Sequence, residues 1–259
     1  MLATQLVENG LGHLFLSASR DSLHNFPVVQ PRFDWMSENV LMVIRGLLFS
    51  TVLGFAGYSL YDWGVPGFPW FISDWAALAA IGTEFLILNA HFRDYDLWYD
   101  NLVKFCFEIV WPYTMLAVIV YWGLYYTPGL WDINDLSTWT YPIFMHVVPL
   151  AVLTIEGFLN SMVYDIEHGF WHALWLILSY IPMTYFSKDI VGYLPYPFID
   201  WASTNSHIWV ASIVGLNQLL FYGFAYLNNY VKTGSGVSIN QFVKHQMQDF
   251  KGLVKLAGF

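Results

Sequence analysis

Six apolar stretches of about 20 residues each restrict what this chain can fold into. A helix needs roughly 20 mostly apolar residues to cross a hydrocarbon layer about 30 Å thick. Breaks rich in glycine and proline or in charged residues separate each stretch from the next. Because backbone amides cannot remain unpaired in lipid, we predict that each stretch forms a transmembrane helix. The stretches are residues 37–60, 70–92, 105–126, 141–163, 170–186 and 206–230.

The composition also indicates that lipid is the solvent of this chain. Hydrophobic residues make up 57% of the chain and charged residues only 11%, whereas a soluble domain carries charge at about a quarter of its positions. A single cysteine excludes a disulfide scaffold, and a net charge of −9 argues against a nucleic-acid partner. We therefore predict an all-α, polytopic integral membrane protein with six transmembrane helices and no nucleic-acid partner.

The positions of the lysines and arginines predict the topology. With six spans, both tails share one side of the membrane with the second and fourth loops. We expect Arg45, in the first turns of the first stretch, to snorkel to that side, and only Lys188 lies on the other. Cytoplasmic or matrix-facing loops carry such an excess of cations, so both termini should face the cytosol or the mitochondrial matrix. The cations of this side are Arg20, Arg32, Arg45, Arg93, Lys104, Lys232, Lys244, Lys251 and Lys255.

Two tails flank the predicted transmembrane domain of residues 36–231. Residues 1–35 begin with apolar side chains at helical spacing, which predicts a short amphipathic helix followed by extended chain. Residues 232–259 contain a capping box, Ser238 with Gln241, ahead of an apolar stripe flanked by lysines. We predict that this segment is an amphipathic helix on the membrane surface or in the groove of a partner.

Ionisable residues inside the stretches are expensive in lipid and are therefore candidates for function. His146 and Glu156 share the fourth stretch but lie ten residues apart, about 15 Å along a helix axis. His146 is either a general base or a hydrogen-bonding group between helices, and Glu156 is either structural or a proton-handling group. The further polar candidates are Glu84, Glu108 and Asn89.

Metal binding and transport are weaker interpretations. His168 and His172 have the i, i+4 spacing of metal ligands, but the chain has no second cluster of this kind. A proton or ion path could use Glu84, Glu108, Glu156 and His146, but transporters usually have internal repeats or broken helices. We predict no metal and no resident cofactor, with structural phospholipids bound.

Several short motifs, in their order and spacing, resemble the androgen-induced and androgen-dependent TFPI-regulating protein family. His146 is followed ten residues later by Glu156 within an Ile-Glu pair, similar to a pattern of that family. Residues 196–200 read Tyr-Pro-Phe-Ile-Asp, and residues 227–230 read Leu-Asn-Asn-Tyr at the end of the sixth stretch. The resemblance covers roughly residues 70–232. It implies a six-span membrane protein with both termini inside.

The resemblance also implies a catalytic pair. Members of that family hydrolyse esters of fatty acids with hydroxy fatty acids, using a threonine nucleophile and the histidine that corresponds to His146. The family's threonine follows a Trp-x-x-Leu pattern, which here is Trp75 and Leu78 followed by Ala79. Thr83 lies one turn further along the same helix face, so it is the candidate nucleophile if the helix depth shifts by about 5–6 Å.

Two functions follow from these observations. The loss of the family's threonine and the two long tails favour a catalytically degenerate accessory subunit of a larger membrane complex. Its partners would be other membrane-protein subunits and lipids, and the mitochondrial inner membrane is preferred to the endoplasmic reticulum. The alternative is an intramembrane lipid hydrolase that uses Thr83 and His146.

Overall fold

The computed structural model describes residues 28–63, 70–94, 96–125 and 142–233, and these fold into helices joined by short connections. The described residues contain an isolated bridge between Pro31 and Asn160 but no β-strand. A 3₁₀ turn extends α2, and π-helical turns at Tyr121–Tyr125 and Ile143–Val147 follow α3 and precede α4. The helices are α1 (Glu38–Trp63), α2 (Ile72–Asn89), α3 (Leu97–Val120), α4 (Val148–Leu159), α5 (Ile166–Val191) and α6 (Thr204–Thr233).

Four helical segments in the described residues are long and apolar enough to cross a membrane. Ile143–Leu159, which contains α4, is apolar but shorter, and α5 is long without being one of the four. These segments are compatible with a multi-pass integral membrane protein, whereas six crossings stay a prediction. The four segments are Glu38–Tyr58, Ile72–Phe92, Trp98–Leu124 and Thr204–Lys232.

The fourth and fifth helices differ in length from the stretches that predict them. The fifth stretch predicts about 17 residues, but α5 has 26 residues and takes in Lys188, because its last turn is exposed and tolerates charge. The fourth helix ends early, at Leu159, because the backbone of Asn160 is extended. The Arg32 N–H donates to the Leu159 carbonyl at 2.9 Å, so a distant segment pairs with the helix end.

The residues at which the two tails join the bundle, here called the tail roots, lie at one end of it. The Val28 N–H donates to an Asp100 carboxylate oxygen at 3.1 Å, which attaches the N-terminal segment to the start of α3. Arg32 Nη2 donates to the Val231 carbonyl at 2.8 Å, which attaches the same segment to the end of α6. The chain therefore enters and leaves the bundle at adjacent positions. Residues 1–27 and 234–259, which contain most of both predicted amphipathic tails, lie outside the described residues.

The opposite end joins the start of α2 to the chain around the α5–α6 connection. The Tyr180 hydroxyl donates to the Trp70 carbonyl at 2.6 Å, and the Ile72 N–H donates to the Tyr196 hydroxyl at 3.0 Å. Chain connections thus alternate between two ends, as in an up-and-down helix bundle. This is the alternation that the predicted topology requires, and the compartment that each end faces stays a prediction.

Asp200 organises the loop before α6 and gives this loop a pH dependence. Its carboxylate accepts hydrogen bonds from the Ser206 and Ser203 hydroxyls and from the backbone N–H groups of Ala202 and Ser203. These bonds lower the pKa of Asp200 from 3.8 to about 2, and the bond from the Ser206 hydroxyl has the largest effect. The stabilisation is therefore complete above about pH 4 and is lost as the pH falls through 2.

We expect Asp200→Asn to lower the thermal midpoint in detergent near neutral pH and to have a smaller effect near pH 2. The reason is that the ionised carboxylate accepts these bonds more strongly than a neutral group, and near pH 2 part of the wild-type side chains are already protonated. Thermal unfolding at both pH values measures the difference. Asp189→Asn, which changes an exposed carboxylate in the last turn of α5, is the matched control. A difference of equal size at both pH values would contradict the assignment.

Candidate functional site

An arginine and a glutamate form an ion pair inside the bundle, although each lies in an apolar helix. Arg45 of α1 and Glu156 of α4 are both 0% exposed, and Arg45 Nη2 lies 2.7 Å from Glu156 Oε1. Arg45 Nε also donates to both carboxylate oxygens, at 3.2 and 3.1 Å. The prediction that Arg45 snorkels to the membrane surface is wrong, because Glu156 supplies a partner within the bundle.

The remaining donors of Arg45 reach two further groups. Nη2 donates to the Val28 carbonyl at 3.0 Å, and Nη1 lies 2.7 Å from His91 Nε2. Because a guanidinium can only donate, His91 Nε2 must accept, which places the histidine proton on Nδ1. His91 Nδ1 lies 3.7 Å from a carboxylate oxygen of Glu38, whose side chain is 58% exposed. His91 therefore lies between the buried pair and the surface.

Asn160 extends the network from Glu156 to α6. Its amide nitrogen donates to Glu156 Oε1 at 3.1 Å, and its amide oxygen accepts from Lys232 Nζ at 2.6 Å. Lys232 Nζ also donates to the Met162 carbonyl at 2.7 Å. The Asn160 oxygen accepts from the Met162 N–H as well, at 3.0 Å, which explains the end of α4 at this residue. The network therefore connects α1, α4 and α6.

We call Arg32, Arg45, Glu156, Asn160 and Lys232 the tail clamp. Arg45 holds the Val28 carbonyl, Arg32 holds the Val231 carbonyl, and Asn160 joins Lys232 to Glu156. The tail clamp therefore ties the start of the described N-terminal segment to the end of α6. Glu156 was identified from the sequence as a candidate site residue, whereas Arg45 was not. Arg45 could have been identified because it is a lone cation in an apolar helix, seven residues after the start of α1.

Glu84 of α2 adds a second carboxyl group beside the tail clamp. It is 0% exposed, and neither of its carboxyl oxygens has a hydrogen-bond partner among the residues that the structure describes. Glu156 and Arg45 both act on it electrostatically. Glu84 therefore adds a buried carboxyl group to this part of the bundle but no hydrogen bond to the network that holds the tails.

Glu108 and Asn89 belong to separate contacts. Glu108 accepts a hydrogen bond from the Asp165 N–H at 2.7 Å, which joins α3 to the chain ahead of α5. The Asn89 amide donates to the Tyr99 hydroxyl at 3.0 Å, across the α2–α3 connection. Both side chains thus have structural partners near the clamp end of the bundle. Of the candidate glutamates, the structure brings Glu84 and Glu156 together.

The two residues of the predicted catalytic pair lie on elements that pack together. Thr83 of α2 is 2% exposed and His146 is 5% exposed, and the π-helical turn that carries His146 packs against α2. The His146 ring stacks on Tyr121, with centroids 3.7 Å apart. His146 Nδ1 lies 2.9 Å from the Pro142 carbonyl, so Nδ1 carries the proton and Nε2 is the basic nitrogen. Ala79, at the position where the resemblance leads us to expect a threonine, packs against the hydrophobic core.

His168 and His172 are the candidate metal ligands that the sequence offered. Across the described ranges, no group of three or more histidine, cysteine or acidic side chains is arranged to hold a metal ion. The His172 ring packs edge-on against Phe105, with centroids 4.6 Å apart, and the side chain of His168 lies outside the described residues. The prediction of no metal and no resident cofactor stays a prediction.

Comparison with protein-family models, with curated proteins and with solved structures finds no match to this chain.

Proposed function

We propose that this protein is a non-catalytic accessory subunit of a larger membrane complex, with a respiratory assembly of the mitochondrial inner membrane as the first candidate. The observation that carries the proposal is the tail clamp. Its charged groups hold the roots of both tails, with Arg32 bound to the Val231 carbonyl at 2.8 Å and Arg45 bound to the Val28 carbonyl at 3.0 Å.

The tail clamp supports a docking role because it positions two tails at once. Both tails leave the bundle from adjacent backbone positions, and both have the apolar spacing of amphipathic helices. Amphipathic helices bind in apolar grooves of partner proteins. Two such helices held at one end of a rigid bundle would bind a partner with a smaller loss of freedom than two independent helices.

Purification from the native membrane tests this proposal. We expect the tagged full chain to migrate on native gels with a constant set of other chains, identified by mass spectrometry.

Deleting residues 1–27 or 234–259 should lower recovery of those chains at least about tenfold, which corresponds to about 1.4 kcal/mol of binding free energy. The thermal midpoint of the bundle should change little, because both deletions lie beyond the tail clamp. Lys188→Gln, at the opposite end, is the control. Migration of the full chain alone would contradict the proposal.

A second candidate function is hydrolysis of lipid esters by Thr83 and His146. The observation that favours it is the His146 tautomer, because an unprotonated Nε2 is what a general base needs. In this scheme the Thr83 oxygen attacks the ester carbonyl, His146 Nε2 takes the hydroxyl proton, and the alcohol leaves with a proton returned by His146, which forms an acyl ester on Thr83. A water molecule that gives a proton to His146 Nε2 then attacks this ester, and the fatty acid leaves as the proton returns to the Thr83 oxygen.

A fluorophosphonate probe separates the two candidates. On the accessory proposal, labelling of the full chain should not exceed that of Thr83→Ala, because the hydroxyl is not activated. Labelling that is strong in the wild type and disappears in both Thr83→Ala and His146→Ala would assign the hydrolase function instead. Thr154→Ala, which changes another threonine of the bundle, is the control for nonspecific labelling.

A further inference from the structure

A groove runs along the surface between α4 and α6 at the clamp end of the bundle. The enclosed part of this groove has about 30 Å³ of space for water-sized groups. Arg32 and Lys232 line one part of it, and Gly157, Phe158 and Leu227 line the apolar part. Lys232 lies five residues beyond Leu227, about 7–8 Å along the helix axis. The groove is therefore cationic at the end of the bundle and apolar further in.

The apolar part has an aromatic floor. Trp111 of α3 stacks on Phe224 with centroids 3.4 Å apart, and its indole N–H donates to the Thr154 hydroxyl at 3.0 Å. Gly157 leaves this floor open, because a Cβ there would lie 3.3 Å from Phe107 Cζ. Phe158 is 53% exposed and Leu227 is 58% exposed, so the groove has apolar walls that face the surroundings.

Among the described residues, the two cations of the groove use only part of their hydrogen-bond donors. A guanidinium has five N–H donors, and Arg32 uses one of them on the Val231 carbonyl. An ammonium has three donors, and Lys232 uses two of them on Asn160 and Met162. These bonds also hold both cations in place, so less side-chain freedom is lost when an anion binds.

We propose that this groove binds an anionic phospholipid, with the phosphate on Arg32 and Lys232 and one acyl chain against Phe158 and Leu227. Basic pockets between transmembrane helices bind anionic headgroups, and an apolar groove below two cations matches a molecule that is anionic at one end and apolar along its length. The proposal does not depend on the accessory role, because a monomeric bundle would have the same groove.

Charge argues against the chain's own C-terminal segment as the occupant. Residues 234–259 contain Lys244, Lys251 and Lys255 against Asp249 alone. A net positive segment is repelled by Arg32 and Lys232, whereas a phosphodiester is attracted.

Native mass spectrometry of the full chain, with added phosphatidylglycerol or phosphatidylcholine, tests the proposal. We expect the wild type to retain phosphatidylglycerol at least fivefold more than phosphatidylcholine, because both contain the phosphate but only phosphatidylcholine adds a cationic choline group, which Arg32 and Lys232 repel. Arg32→Gln should lower phosphatidylglycerol retention about tenfold. The matched control is Arg93→Gln, which changes an exposed cation of the same end that stacks on Tyr99 and does not line the groove.

A second variant tests the apolar part without changing charge. Leu227→Trp places a larger side chain at the wall of the groove and should lower phosphatidylglycerol retention with no change in the thermal midpoint of the lipid-free chain. Four outcomes would overturn the proposal: equal retention of the two lipids, an equal loss in Arg93→Gln, no effect of Leu227→Trp, or stabilisation by inorganic phosphate alone that matches the lipid.

Discussion

Replacing Arg45 with methionine is expected to lower the free energy of unfolding by about 3–5 kcal/mol, because it leaves Glu156 charged and buried without its partner. Glu156 is 0% exposed and receives three hydrogen bonds from Arg45. Asn160 alone cannot replace them. The purified chain in one detergent, unfolded by denaturant, gives the measurement.

The double variant Arg45→Met with Glu156→Leu tests whether the loss comes from the unpaired charge. Replacing both partners of a buried ion pair by apolar residues is often neutral or stabilising, so the double variant should regain most of the lost free energy. Arg93→Met, which removes an exposed cation, should change the free energy of unfolding by less than about 1 kcal/mol. A double variant that is less stable than Arg45→Met would show that the pair has another structural role.

Phe221→Ala is expected to cost about 3–5 kcal/mol, the usual range when a buried aromatic side chain is removed from a packed core. Phe221 of α6 is 0% exposed and lies directly against Gly169 of α5, where an added Cβ would come within 2.4 Å of its ring. Its ring also packs on Tyr164, with centroids 6.3 Å apart.

Leu219→Ala is the matched control for Phe221→Ala. Leu219 lies on the same helix but is 69% exposed, so its removal leaves no cavity. The free energy of unfolding should therefore change little. Equal losses in the two variants would mean that the inner and outer faces of α6 are not as the structure describes them.

These variants also separate folding from function. Phe221→Ala leaves the hydrogen-bonding groups of the tail clamp unchanged, so partner recovery should fall only as far as the amount of folded protein falls. Arg45→Met loosens the Val28 carbonyl as well, which lies at the root of the N-terminal tail. Recovery of partner chains per folded molecule should therefore fall in Arg45→Met and stay constant in Phe221→Ala.

Helix positions were predictable from the sequence, because lipid requires long apolar segments and such segments are local. Each of the six stretches overlaps a helix, and each of the four segments long and apolar enough to cross a membrane overlaps one stretch, although α3 begins at Leu97 and not at the predicted residue 105. The end of α4 at Leu159 was not predicted, because Asn160 lies inside an apolar stretch and its side chain is also bonded by Lys232, which lies far away along the chain.

The candidate site was predictable only in part. Glu84 and Glu156 were identified as ionisable groups inside apolar stretches, which is a local property. Their common cluster with Arg45 was not identified, since Arg45 and Glu156 are 111 residues apart. Hydropathy indicates the depth of a residue in a helix but contains no information on which helices are neighbours.

The sequence by itself predicted lipid as the solvent and a helical fold, and it identified the few ionisable groups inside the apolar stretches. The reason is that a chain with 11% charged residues and six long apolar stretches has few other ways to pair its backbone amides. Only the tertiary structure decided what those groups do. Packing brings α1, α4 and α6 together at one end, where the attraction between Arg45 and Glu156 outweighs the tendency of an arginine to reach water. With this pair formed, Arg45 holds the Val28 carbonyl and Asn160 links Glu156 to Lys232, so the roots of both tails are connected.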